Sequence, residues 1–153
     1  MAPRRGKHNR TNKVTSKPSH PPDIKIVWVG IDLLRPASYN PRTHNDAQEA
    51  HLTASIDGFG AVEPLIVNGA KNRLNIVIGG HFRLKVFRKL GYKTVPVVYV
   101  NIPSIEREKE LNLRLNKNTG DWDWEALKEY DTDFLKDKGF DASELSNFWD
   151  GAL

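Results

Sequence analysis

One segment, residues 74–100 (LNIVIGGHFRLKVFRKLGYKTVPVVYV), restricts the fold of this chain more than any other. Leu74–Ile78 is a short run rich in β-branched residues, which is typical of a buried strand. Gly79-Gly80 then permits a tight turn with φ above zero, and a helix is predicted as far as Leu90. Because Thr94–Val100 returns as a second strand, the segment predicts one β-α-β unit.

The helix of this unit has a clear apolar face and a clear end. Phe82, Val86 and Leu90 are spaced four residues apart, so they share one side of the helix. Gly91 stands where a C-terminal cap is expected. The pattern therefore predicts a helix that packs one face on the sheet.

Cationic and titratable side chains gather at the start of the same helix. His81, Arg83 and Lys85 follow the two glycines, where the first N–H groups of a helix have no partner within it. Helix N-termini of this kind bind anions, phosphates above all. An ordinary turn with solvated surface charges is the alternative, and this stretch alone favours neither.

Charge divides the 153 residues into three regions, although the net charge is only +4. Residues 1–22 hold six basic and no acidic side chains, and we expect a disordered basic arm. Residues 23–120 are predicted to form one domain, and residues 121–153, with 3 lysines against 10 acidic residues, an acidic helical extension. Basic arms bind nucleic acid electrostatically. The candidate DNA-binding residues are therefore Arg4, Arg5, Lys7 and Arg10.

Several classes of function are excluded by what the sequence lacks. There is no cysteine, hence no disulfide, thiolate metal site or cysteine nucleophile. The five histidines form no close pair of the kind that binds zinc, and the Walker loop, the dinucleotide fingerprint and the nucleophile elbow are absent. No signal peptide or membrane span is evident, so we expect a cytoplasmic protein.

Further elements are predicted on both sides of residues 74–100. A first strand is expected at Lys25–Val29 and a helix from Asn45 or Asp46 to about Asp57. Val62–Val67 is the next strand, in a hairpin with Leu74–Ile78 through a tight turn at Asn68-Gly69.

A charged helix from Ser104 to about Asn116 is predicted to turn Ile105, Leu111 and Leu115 to the core. After it, a helical face is predicted from Trp124, Leu127, Tyr130, Phe134 and Leu135. Asp141–Trp149 is expected to form a last short helix.

Three stretches are expected to converge on one site, because each lies at a strand end or a helix start. They are Asn40–Arg42, Gly60–Pro64 and Gly80–Lys85. In the first stretch the Asn-Pro pair indicates a turn that projects Arg42 outward. Three purely structural turns are the competing interpretation.

This order of motifs resembles the amino-terminal domain shared by ParB partition proteins and sulfiredoxins. The resemblance implies an α+β fold with a small mixed sheet and packed helices, here with extra C-terminal helices. The run LNKNTGDWDWEAL is similar to the continuation seen in phage and mobile-element proteins, some fused to DNA methyltransferases and often labelled ParB-like nucleases. The resemblance covers residues 31–118 and rests on Asn40-Pro41-Arg42, Glu63-Pro64-Leu65-Ile66-Val67, Gly80-His81-Phe82-Arg83-Leu84-Lys85, Gly91 and Val95-Pro96-Val97.

The resemblance implies a nucleotide cofactor, CTP or ATP with Mg²⁺, because ParB relatives bind CTP with the Gly-Glu-Arg-Arg-x-Arg motif. His81 replaces the glutamate and Phe82 the first arginine of that motif. Glu63 and Asn112 are expected to hold Mg²⁺ or water. Sulfiredoxin activity is excluded because His81 stands at the cysteine position. The implied phosphate- and nucleotide-binding residues are Arg42, Gly79, Gly80, Arg83, Lys85 and Asn112.

Three functions remain open at this point. The first is a nucleotide-binding domain that acts on or near DNA, with a homodimer and a DNA-modifying protein as expected partners. The second is a metal-dependent nuclease or NTPase with His81 and Glu63 as catalytic residues, His81 being the general base; a histidine that caps the helix is the competing interpretation. The third is a non-catalytic module that docks a partner such as a DNA methyltransferase.

Overall fold

The computed structural model describes residues 24–117 and 120–146. The basic arm and the end of the last predicted helix lie outside these residues. Within them, no helix is long and apolar enough to cross a membrane. The elements are β1 (Val27–Gly30), β2 (Arg35–Pro36), α1 (Asp46–Phe59), β3 (Leu65–Asn68), β4 (Ile76–Gly79), α2 (His81–Lys89), β5 (Thr94–Val100), α3 (Ile105–Lys117), α4 (Trp124–Leu127), α5 (Thr132–Asp137) and α6 (Ala142–Ser146).

The five strands form one mixed sheet in the order β1-β5-β3-β4-β2. β1 pairs antiparallel with β5, β5 parallel with β3, β3 antiparallel with β4, and β4 parallel with β2. The α+β class and the mixed sheet are confirmed. The predicted β-α-β unit is present as β4-α2-β5, but its two strands are not neighbours in the sheet. β3 lies between β4 and β5, and these two strands run antiparallel.

The hairpin of β3 and β4 is confirmed, but its turn is not tight. A 3-10 helix, Lys71–Arg73, lies in the connection. Asn68, which is completely buried, uses its side-chain oxygen to accept from the N–H groups of Ala70 and Ile102. This side chain therefore joins the hairpin connection to the chain that follows β5.

The hydrophobic core lies between the sheet and helices α1 and α2. Leu84, Val86 and Phe87 of α2 are buried in it, and Phe82 and Leu90 only partly. The buried face of α2 is therefore rotated around the helix axis relative to the stripe predicted from spacing alone. The C-terminal cap is confirmed, because Gly91 has a positive φ of 79°.

Helix α3 packs against β4, and its orientation differs from the prediction. Ile105 and Leu115 are exposed by 40% and 43%, whereas Glu108 and Asn112 are buried. Apolar periodicity misplaced the face because this helix buries two polar side chains. The Glu108 carboxylate and Nδ2 of Asn112 form hydrogen bonds inside the protein, whereas Oδ1 of Asn112 has no partner among the described residues.

The C-terminal extension contains short helices instead of one long face. α4 ends at Leu127 and α5 begins at Thr132, where the Asp131 side chain accepts from the N–H groups of Asp133 and Phe134. Of the predicted apolar face, only Leu135 is fully buried. An aspartate that caps a new helix thus interrupts the periodicity.

Glu49 fastens α1 to α2 and gives the fold a pH dependence. Its carboxylate lies 2.6 Å from the Lys85 ammonium and 2.7 Å from that of Lys89. These two hydrogen bonds lower the pKa of Glu49 from 4.5 to about 2. A carboxyl group whose pKa is lower in the folded state stabilises that state above its unfolded pKa, and loses this effect as the pH falls.

We expect the midpoint temperature of thermal unfolding to decrease as the pH is lowered from 4.5 to about 2, in part because Glu49 becomes protonated over this range. In Glu49→Gln the part of the decrease that is due to Glu49 should be absent. The control Glu129→Gln, which replaces an exposed glutamate of the C-terminal extension, should retain the full decrease. Scanning calorimetry across this range measures the difference. Parallel pH curves for wild type and Glu49→Gln would contradict the assignment.

Candidate functional site

A cavity of about 410 Å³ opens beside the turn between β4 and α2. All three predicted stretches contribute to its walls, as does the C-terminal end of α3. The lining residues are Asn40, Arg42, His44, Leu52, Glu63, Ile66, Gly79, Gly80, His81, Phe82, Arg83, Leu115 and Asn116.

The turn into α2 can be made only by glycine at position 80. Gly80 has a φ of 92°, as the sequence predicts for this turn, and a Cβ there would lie 2.6 Å from Cδ2 of Leu65. It precedes α2 without a side-chain cap, so the first N–H groups of the helix are available to an anion. At Gly79 an added Cβ would lie 2.9 Å from Cδ1 of Leu115, the end of an exposed side chain that can shift, so this position is less strict than Gly80.

Arg42 is the cation on the cavity wall that has no carboxylate partner among the described residues. Its Nη1 donates to Oδ1 of Asn116 over 3.4 Å, a long and weak hydrogen bond. Its side chain is exposed. Arg42 is therefore free to pair with a ligand anion at little cost.

Arg83 is already paired within the protein. Its Nη1 lies 2.9 Å from Oε2 of Glu63, and its Nη2 donates to the carbonyl of Pro64. Its Nε is buried and has no hydrogen-bond partner among the described residues. A phosphate at this position would have to share the guanidinium with Glu63.

Lys85 lies outside this cavity, on the wall of an adjoining one of about 330 Å³. Its ammonium is bonded to Glu49, so its charge is largely neutralised. The side chain is nevertheless 63% exposed, which leaves it able to rearrange.

His81 lines the cavity with one ring nitrogen engaged. The backbone N–H of Ala37 donates to Nε2 over 3.0 Å, so Nε2 is unprotonated and the neutral ring carries its proton on Nδ1. Burial lowers the pKa of His81 below its ordinary value. This geometry fits a residue that holds the Ala37 loop better than a general base acting through Nε2.

A stacked pair of rings, His44 and Phe82, lines both cavities. Their centroids are 3.6 Å apart and their planes 6° from parallel. Burial and the charges of Arg42 and Lys85 lower the pKa of His44. Sequence reasoning did not select His44, although it lies two residues after Arg42.

Helix α3 faces the cavity with Asn116, four residues beyond the predicted Asn112. Asn112 is 1% exposed and donates to the carbonyl of Ile78, which makes it part of the packing of α3 on β4. Asn116 lies on the cavity wall and donates to the carbonyl of Asn112. The structure therefore places the amide available to a ligand one helical turn further on.

The acidic groups around the cavity are few. Glu63 is the carboxylate that lines it, and within the described residues no group of three or more His, Asp or Glu side chains could hold a metal ion. A divalent cation that enters with a nucleotide would take its ligands from the phosphates and from Glu63.

Comparison with known proteins assigns this fold to a family. The sequence pattern of the ParB N-terminal domain matches residues 16–119. The chain belongs to the ParB N-terminal domain family.

Two relatives illustrate how far the similarity extends. The ParB-like nuclease domain-containing protein YnaK of Escherichia coli is 32% identical over 78 residues, which cover 51% of this chain and 85% of that protein. The nucleoid occlusion protein of Bacillus cereus is 30% identical over 83 residues, 54% of this chain but only 29% of that protein. This ParB-like domain thus corresponds to most of one relative and to less than a third of the other.

Solved structures support the same fold. The chromosome-partitioning protein ParB from Caulobacter crescentus, truncated at its C-terminus and complexed with CTP-gamma-S, superposes with a TM-score of 0.59. The two chains are 19% identical, with 81% of this chain and 76% of that chain covered. The Pnob8-like ParB-N domain superposes with a TM-score of 0.51 at 21% identity, with 65% and 40% covered.

The turn that shapes the cavity gives a stability prediction. Gly80→Ala combines a left-handed backbone with a collision against Leu65, and we expect a loss of about 3 kcal/mol or more. Gly91→Ala is the matched control, because Gly91 has a φ of 79° with no atom within 4 Å of an added Cβ; it should lose only about 1–2 kcal/mol. Urea denaturation measures both, and equal losses would refute the packing argument.

Proposed function

We propose that this ParB-like domain binds a nucleoside triphosphate in the 410 Å³ cavity and works on or near DNA. The phosphates would lie at the N-terminus of α2, over Gly79 and Gly80. Arg42 would neutralise them first, and Arg83 would join after releasing part of its contact with Glu63. CTP is the first nucleotide to test, since the similar Caulobacter protein was solved with CTP-gamma-S.

The observation that carries this proposal is Arg42, which has no carboxylate partner among the described residues and lines the same cavity as the uncapped start of α2. A guanidinium and free backbone N–H groups form an anion site of the type that binds phosphates. The cavity adds the stacked rings of His44 and Phe82, which offer an apolar surface for a base. Asn116 provides an amide for a sugar or a base edge.

Binding is better supported than hydrolysis. His81 Nε2 already accepts a hydrogen bond from Ala37, and Glu63 is paired with Arg83. Neither predicted catalytic group is therefore free to activate a water in this arrangement. A nuclease or NTPase activity remains the alternative, and His81→Ala should abolish it if His81 is the base.

Nucleotide binding predicts a rise in thermal stability. At a hundredfold excess over Kd the folded state gains about 2.7 kcal/mol, which raises the midpoint by several degrees. We expect this shift with CTP and smaller or no shifts with ATP and GTP, each tested with and without Mg²⁺. Binding of a protein but of no nucleotide would support the interaction module instead.

Arg42→Ala tests the site itself. Loss of a charge-assisted hydrogen bond should weaken nucleotide binding about tenfold or more. The control is Arg107→Ala, another exposed arginine, which pairs with Glu110 away from the cavity. Calorimetric titration compares the two, and equal affinities would place the nucleotide elsewhere.

DNA binding through the basic arm predicts a steep dependence on salt. Deleting residues 1–22 removes six cations, which should weaken binding and reduce the slope of log K against log salt by as much as about 5. An arm of scrambled sequence but equal charge should restore both, because the contact is electrostatic. Fluorescence anisotropy would refute this role if the deletion left affinity and slope unchanged.

A further inference from the structure

Three residues that line the cavity, Asn40, Arg42 and His44, belong to the loop between β2 and α1. Such a loop can orient a ligand only if its backbone is fixed. Ala37 is held at the start of the loop by His81, and the Asn45 side chain caps α1 at its end. Arg42 lies between these two points. The position of its side chain therefore depends on a further attachment in the middle of the loop.

That attachment is Tyr39. Its hydroxyl donates to Oε2 of Glu108 over 2.7 Å. Glu108 has no exposed surface, and it accepts three further hydrogen bonds, one from Nδ2 of Asn68 and two from Arg73. Tyr39 is therefore bonded to an immobile, buried carboxylate.

The carboxylate belongs to α3, whose C-terminal end also lines the cavity. Glu108 lies on α3 about two turns before Leu115 and Asn116, which line the cavity. The Tyr39–Glu108 bond therefore sets the distance between the loop and the α3 wall. The contact between Arg42 and Asn116 lies across the same gap.

We propose that Glu108, acting through Tyr39, is a positioning residue that holds Arg42 in place for the nucleotide phosphates. Neither Glu108 nor Tyr39 lines the cavity, and Tyr39 belongs to the loop, so an effect of Tyr39 on binding passes through the loop. This inference rests on the proposed nucleotide site. It assigns a function to a buried acid that no sequence pattern identifies.

Tyr39→Phe isolates the attachment. It removes one oxygen, leaves Glu108 with its bonds to Asn68 and Arg73, and keeps the ring beside the Lys109 ammonium, 5.5 Å from its centroid. Tyr99→Phe is the matched control, because it removes one hydroxyl bond of 2.8 Å, to Asn75, far from the loop in the chain and outside the cavity.

The experiment measures the Kd for CTP by calorimetric titration in wild type, Tyr39→Phe, Tyr99→Phe and Arg42→Ala. Tyr39→Phe should raise Kd about fivefold to tenfold, and Tyr99→Phe should leave it within about twofold. In the Arg42→Ala background, Tyr39→Phe should have much less effect, because the residue through which it acts is gone. Hydrogen exchange should show faster exchange in residues 38–44 of Tyr39→Phe only.

Each outcome separates this inference from the proposed function. Absence of binding of CTP, ATP and GTP by the wild type refutes the nucleotide site. If the wild type binds but Tyr39→Phe binds equally well, or loses no more affinity than Tyr99→Phe, the positioning role is refuted. Full additivity of Tyr39→Phe and Arg42→Ala refutes the path through Arg42.

Discussion

The ionised Glu108 side chain inside the protein is the interaction on which the arrangement of the site depends. Burying a carboxylate costs several kcal/mol unless it is paired and hydrogen-bonded. Burial alone would raise the pKa of Glu108, but the hydrogen bonds from Arg73, Asn68 and Tyr39 together hold it below its ordinary value. The charged acid is satisfied by donors that come from three separate segments. Satisfying one carboxylate thus aligns the end of β3, the 3-10 turn and the cavity loop with α3.

Two of the three basic side chains predicted to bind phosphate form ion pairs within the protein. Lys85 helps to join α2 to α1 through Glu49, and Arg83 is paired with Glu63. Arg42 alone faces the cavity without a carboxylate partner among the described residues. A bound polyanion would therefore compete with Glu63 for Arg83, and a divalent cation at Glu63 would relieve this competition by freeing the guanidinium.

Local signals predicted the elements well, and long-range pairing limited the rest. The N-cap of α1, predicted at Asn45 or Asp46, is Asn45, with Gln48 bonded back to it, and the strand Thr94–Val100 has its predicted bounds; both are determined by neighbours in sequence. The insertion of β3 between β4 and β5 depends on contacts that no local pattern contains. The same holds for α3, because Glu108 looks like a solvated charge until Arg73, 35 residues away, is known to lie beside it.

The site shows the same division between local and long-range information. Asn112 and Asn116 lie one helical turn apart on the same side of α3, so sequence spacing makes them equivalent. The sheet breaks this equivalence. β4 ends at Gly79, so Asn112 meets the carbonyl of Ile78 inside the sheet, whereas Asn116, about 6 Å further along the helix axis, passes the strand end and reaches the cavity. The strand end at Gly79 therefore decides which amide can bind a ligand.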